Sequence, residues 1–211
     1  MILENGVVRT MEPSLPLARS LAIAGERIVG GVGAHEPALP GPERVDLGGR
    51  CVVPGFTDSH VHFPTWALAQ GEVRLEGTRS LGEAVELVRG ALEAAPPGRW
   101  LLGRGWRSGD WSPSLEPTKA ELDAIAPDRP VALMARDSHS VWLNSAALGR
   151  ANGDLQVPGG VVEVDERGQP TGVLREESCW HFRDRYIETG DDDYLEAMRA
   201  GVRLATSRGV T

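Results

Sequence analysis

The pattern of apolar residues changes once along this chain, at Pro54, and that change limits the folds open to it. Before Pro54 the apolar residues come in short runs broken by turn residues. Asn5-Gly6 in "ENGVV", Gly25-Glu26 in "SLAIAGERIVGGVG" and Gly48-Gly49 in "RVDLGGRCVVPG" each read as a hairpin between two short strands. "HEPALPGPE" (residues 35–43) holds three prolines and reads as a loop. Residues 1–54 are therefore expected to be all β.

After Pro54, strand-like runs alternate with helical spacing. Leu81, Ala84, Val85, Val88, Ala91, Leu92 and Ala95 predict a helix capped by Ser80 and stopped by Pro96-Pro97. "RWLLGRGW" and "RPVALMARD" predict strands. "KAELDAIA" after Thr118 predicts a short helix closed by Pro127, and "NSAALGRA" another. "GGVVEVDERGQPTGVLRE" predicts a hairpin over about 159–176 that turns at Glu166-Arg167-Gly168. A last helix carries Leu195, Met198, Val202 and Ala205 as its stripe and ends at Gly209. Its opening acids, Asp191-Asp192-Asp193, suit a helix N-terminus rather than a metal. Strand-helix alternation predicts βαβ units around a parallel sheet.

Composition narrows the function. Of 211 residues, 41% are hydrophobic and 25% charged, and the net charge is −8. That balance argues against a nucleic-acid or anionic-membrane surface. Cys51 and Cys179 are too few for a disulfide framework. "MILENGVVRTM" lacks the pattern of a signal peptide, and no apolar run nears the roughly 20 residues of a membrane span. The expected setting is cytoplasmic.

Chemistry concentrates in "PGFTDSHVHF", residues 54–63, which holds two of the five histidines. On a strand, His60 and His62 would point to one side and could converge on one ion at about 2.0–2.1 Å. The run "VVPG" before them predicts that the pair falls at the carboxyl end of a strand, where βα barrels place their active sites. Asp58 shares that face and could orient an imidazole. Spacing alone leaves open an accidental pair of histidines.

The same stretch resembles the first-strand signature of the amidohydrolase superfamily, P-G-[FL]-[IVT]-D-x-H-x-H. "GRGW", "ELDAIAPDRPVALMARDSHSVWLNSAAL" and "GQPTGVLREES" resemble, more narrowly, the YtcJ-like (amidohydrolase 3) branch. The resemblance implies an α/β fold: a partial (β/α) TIM-type barrel over residues 55–211, preceded by a small N-terminal β-sandwich segment over 1–54. It implies a metal-dependent hydrolase acting on a C–N bond of an amide-type, non-peptide small molecule through metal-activated water. The cofactor implied is one or two divalent ions, zinc first among them. His60 and His62 match the first two ligands, and Glu176 an acidic position that could face the metal. His139 matches a histidine at a strand end that could contact substrate, as could Trp106 of "GRGW". The proton-transferring aspartate is expected beyond residue 211. So is any bridging lysine, since Lys119, the one lysine here, lies in a helix.

Ser138 stands where the branch usually has glycine, and Arg107-Ser108 where an acid is common. Cys179 and His181 in "CWHF" carry ligand-type side chains but read as packing residues near a helix start. Strand edges left open in an incomplete barrel would permit pairing with a second copy. The alternative function is a non-catalytic metal- or ligand-binding protein of the same fold.

Overall fold

The computed structural model describes residues 1–30, 43–96, 98–187 and 189–211. The proline-rich loop at 35–43 lies outside them except for Glu43, as do Gly31–Gly33 and Pro97. The chain divides into two compact units, Met1–Val61 with Leu204–Thr211, and His62–Arg203. The second is thus inserted into the first along the sequence.

In the first unit, strands β1 (Ile2–Glu4), β2 (Val7–Arg9), β3 (Leu17–Ala18), β4 (Leu21–Ala24), β5 (Arg27–Gly30), β6 (Arg44–Asp46) and β7 (Cys51–Val52) form two sheets. Their orders are β5-β4-β1-β6 and β3-β2-β7. Only one of the three turn signals makes a hairpin: Gly25, at φ 58°, joins antiparallel β4 and β5. Asn5-Gly6 and Gly48-Gly49 instead pass the chain from one sheet to the other, so that β1 runs parallel to β6 and β2 parallel to β7. Gly6 is required by close approach. A Cβ there would sit 2.4 Å from Leu47 Cδ1 and 2.9 Å from Arg50 O. Asn5 closes the crossing with a 2.9 Å bond from Nδ2 to Asp46 Oδ1. Val8, Ala18 and Leu21 make a small core, with Leu3, Ile23 and Val52 against it.

The second unit is built on one sheet of six strands, ordered β12-β13-β11-β10-β9-β8. These are β8 (Val73–Arg74), β9 (Leu101–Trp106), β10 (Val131–Ala135), β11 (Ser140–Leu143), β12 (Gly160–Val164) and β13 (Pro170–Glu176). The expectation of an all-parallel sheet holds for β8, β9 and β10 only; β11, β12 and β13 are antiparallel to their neighbours. The physical reason is connection length. Ala135 and Ser140 are separated by a tight turn, which can join only antiparallel neighbours. The hairpin expected at 159–176 is present, and its second strand joins the sheet by pairing with β11.

Alternate residues of the central strands feed two cores, as a strand period of two requires. Val131, Leu133, Trp142 and Val173 pack with α2 (Leu81–Ala94) and Leu122 of α3 (Lys119–Asp123). Ala132, Val141, Leu143 and Leu174 pack with Ala147 of α4 (Ser145–Leu148) and with Cys179 and Phe182 of α5 (Glu177–Tyr186). Both faces are covered, which is why "VALMA" shows no polar alternation. Each buried indole N–H finds an acceptor: Trp106 on Leu133 O at 2.7 Å, Trp142 on Thr118 O at 2.6 Å, Trp111 on Thr78 Oγ1 at 3.0 Å.

The caps follow the sequence. Ser80 Oγ accepts the Glu83 N–H at 3.1 Å, and Ala95 leaves α2 in the extended region that a following proline favours. Thr118 and Glu121 form a capping box on α3. Asp191, Asp192 and Asp193 fill the first turn of α6 (Asp191–Ser207), and Asp193 pairs with Arg99. The short helix α1 (Phe63–Ala69) has no counterpart in the sequence reading. No helix among the described residues is long and apolar enough to cross a membrane.

Candidate active site

The segment carrying the histidine pair departs from the expected strand end. After β7, pairing continues only as an isolated parallel bridge between Phe56 and Val210. It is held by Phe56 N–H on Gly209 O (2.7 Å) and Thr211 N–H on Phe56 O (2.9 Å). His60 lies in a bend, and its backbone N–H donates to Asp58 Oδ1 at 3.0 Å. Asp58 thereby shapes the turn that follows the bridge. His62, in the second unit, is the N-cap of α1, with φ −85° and ψ 62°. The alternation of a regular strand therefore does not set the directions of these two side chains. The pleat is interrupted because the His60 N–H bonds to the Asp58 side chain and a helix begins at Phe63, with Pro64 in its first turn.

Among the described residues no three His, Cys, Asp or Glu side chains gather as metal ligands. A catalytic divalent centre uses at least three protein donors. The donor types at 60 and 62 suit zinc, but the described residues do not complete a centre, and no reaction step can be built on one from them.

His139 is held differently. β11 starts at Ser140 and β13 ends at Glu176, and Ser140 pairs with Arg175 in the register. That register sets His139 opposite Glu176. The Glu176 N–H donates to His139 O at 2.8 Å, and His139 Nδ1 lies 2.8 Å from Glu176 Oε2. Both side chains are about half exposed, 50% and 51%. The His139 N–H donates to Asp137 Oδ1 at 2.9 Å. Trp180 sets its ring edge-to-face on the imidazole at 5.0 Å, and its indole N–H donates to Ser138 O at 2.9 Å. The hydrogen bond to the Glu176 carboxylate holds the imidazole pKa above its ordinary value; desolvation opposes it, and the charges of Glu176 and Asp137 add to the rise.

Two residues of this corner pay in backbone strain. Ser138 has φ 63° and Glu176 φ 54° with ψ −131°, in regions that side chains disfavour. Glycine is the natural occupant of a left-handed position, which accounts for the resembling branch's preference at 138. Glu176 engages Nδ1, so Nε2 is the ring nitrogen outside that bond.

Trp106 is set mainly into the core. It is 2% exposed, its N–H is spent on Leu133 O, and it packs between Trp111 and Trp142. An indole following two buried strand residues serves the core first. Glu176 has its Oε2 on His139, and no donor group of three forms around it. Cys179 is fully buried, which pushes its thiol up to about 12, and His181 Nε2 lies 3.2 Å from Asp154 Oδ2. Both fit the packing reading.

One residue of consequence was missed. Asn144 is fully buried as the N-cap of α4. Its Oδ1 accepts from Val131 N–H (3.0 Å) and Ala147 N–H (2.9 Å), and its Nδ2 donates to Ala126 O and Arg129 O, both at 2.7 Å. The sequence signal was an N-cap asparagine before "SAAL", which marks a helix start but not the three other bonds.

Residues 43–211 match the sequence model of the amidohydrolase family, Amidohydro_3. The chain is 33% identical to N-substituted formamide deformylase of Arthrobacter pascens, over 96% of its own length and 42% of that protein's. It is 31% identical to the putative amidohydrolase YtcJ of Bacillus subtilis strain 168, over 87% of its length and 36% of YtcJ. Among solved structures, an uncharacterized metal-dependent hydrolase from Pyrococcus furiosus superposes with a TM-score of 0.74 at 30% identity, covering 99% of this chain and 42% of that one. The chain belongs to the amidohydrolase family. It spans about two fifths of the length of these relatives.

Proposed function

We propose that the protein hydrolyses the C–N bond of a small, amide-type, non-peptide substrate in a metal-dependent reaction. The observation that supports this best is the family match over residues 43–211, which takes in both histidine sites. The relative named as a deformylase of N-substituted formamides, at 33% identity, points to an amide-type bond. His60 and His62 would be two ligands of a divalent ion, zinc by donor type, with the remaining donors outside the described residues. Asp58 would fix the approach of His60 through the turn it closes. His139, held by Glu176, would present Nε2 to a polar atom of the substrate. Glu176 thus acts through His139 rather than as a ligand.

In the same reading, the two sheets of residues 1–52 begin a β-sandwich, and the parallel bridge of Phe56 to Val210 begins a (β/α) barrel. The six-stranded sheet is then an insertion after the first barrel strand. The expected setting is the cytoplasm, with a small molecule and neither nucleic acid nor membrane as partner.

The experiment is metal analysis and amide hydrolysis by the full-length protein on a panel of N-formyl and N-acyl amines. His60→Ala and His62→Ala should each lose most of the bound divalent metal and the activity with it. Full metal and full activity in both variants would overturn the assignment, and a metal-loaded protein inert on every amide would favour the non-catalytic alternative.

A further inference from the structure

A cleft of about 360 Å³ opens where β9 and β10 end, on the second unit's sheet. These strands are parallel neighbours, with Ala135 paired to Trp106. Arg107 and Arg136 are the first residues beyond their carboxyl ends, and the Arg136 N–H donates to Trp106 O at 3.0 Å. In open α/β sheets the crevice outside the carboxyl ends of parallel strands is where ligands bind. Here that crevice has an apolar floor, Trp106 and Ala135, and guanidinium groups at its rim.

The guanidiniums are unequally committed. Arg175 is spent: it donates to Glu163 at 2.7 Å, to Glu116 at 2.9 Å and to Ser140 Oγ at 3.3 Å, and so forms a fixed wall in which one cation faces two carboxylates. Arg107 and Arg136 share a single carboxylate, Asp110, at 3.8 and 3.3 Å. Neither contact is a two-bond fork, so most of their N–H donors remain to be used. Arg107 and Arg136 are thus the cations of this lining with N–H donors to spare. The Asp137 carboxylate also lines the cleft, with Oδ1 accepting the His139 N–H. It disfavours a dianion and offers an acceptor to an N–H.

We propose that this cleft binds a small monocarboxylate bearing an amide or ammonium N–H beside its carboxyl group, with Arg107 and Arg136 clamping the carboxylate and Asp137 accepting the N–H. The site does not depend on the hydrolase reading, because it is tested by binding without turnover. Asp137 links it to His139 through the backbone bond, so a substrate bearing such a group would be anchored two residues from that imidazole.

The test is titration of the full-length protein, followed by calorimetry and by the backbone amide signals of Arg107 and Arg136. The probes are N-acetylglycine, its uncharged analogue N-acetylglycinamide, and inorganic phosphate. N-acetylglycine should bind at least tenfold more tightly than either of the others and shift both amide signals. Arg107→Gln and Arg136→Gln should each weaken it about tenfold, as the loss of a charge-assisted hydrogen bond implies. Arg89→Gln, which removes an exposed pair with Glu86 on α2, should leave it unchanged. Equal binding of the amide would overturn the proposal, as would tighter binding of phosphate, or undiminished binding in both cleft variants with native circular dichroism.

Discussion

The histidine pair at 60 and 62 and the single histidine at 139 owe their positions to different kinds of information. The first two lie on one short stretch of chain, and their spacing is visible in any reading of it. Their geometry is set by a bend after a one-residue bridge and by the start of α1. His139 meets a partner 37 residues away because β11 and β13 pair in one register, and it is braced by an indole and by two residues in disfavoured backbone regions. Local spacing announces which residue types are present. Long-range register decides which of them work together.

The comparison can be broken first at the far end of β11, the strand that His139 precedes. Asn144→Ala takes this partner from two amide N–H groups, those of Val131 and Ala147, and from the carbonyls of Ala126 and Arg129. It should cost about 3 kcal/mol or more by denaturant unfolding; a loss under about 1 kcal/mol would show that this support is dispensable. Second, His139→Ala in the full-length protein should lower kcat/KM by about 10- to 100-fold with bound metal unchanged. Metal lost in parallel with activity would put His139 in the metal centre. Third, Ser138→Gly should stabilise the protein by about 1 kcal/mol, since it relieves a left-handed φ of 63°. A destabilised variant would mean that the serine side chain repays that strain.

Much of the fold could be read beforehand where the signal was local. The caps at Ser80 and Thr118, the hairpin at 159–176 and the buried run "VALMA" all follow from residue type and period. What could not be read was partnership. Asn5-Gly6 has the composition of a hairpin turn yet carries the chain between sheets, because Ile2–Glu4 finds β4 and β6 and Val7–Arg9 finds β3 and β7. At the candidate site His60, His62, His139 and Glu176 were all legible as chemical candidates. The bond between His139 and Glu176 was not, since only the sheet register creates it. That the Trp106 indole N–H is taken up by an acceptor inside the core is something no spacing reveals. The departure at Arg107 was visible, but its sharing of Asp110 with Arg136 needed the strand ends side by side.

The claim that His139 and Glu176 act as one unit is tested most directly by following the His139 ring by NMR against pH, in the wild type and in Glu176→Gln. The account predicts a wild-type pKa above the ordinary value of about 6.5 and a fall toward it in the variant. The sign for stability follows: a group whose pKa is raised on folding contributes fully below its unfolded value, and that contribution is lost as pH rises through the folded one. A His139 that titrates at or below the ordinary value, unchanged by Glu176→Gln, would contradict the pairing.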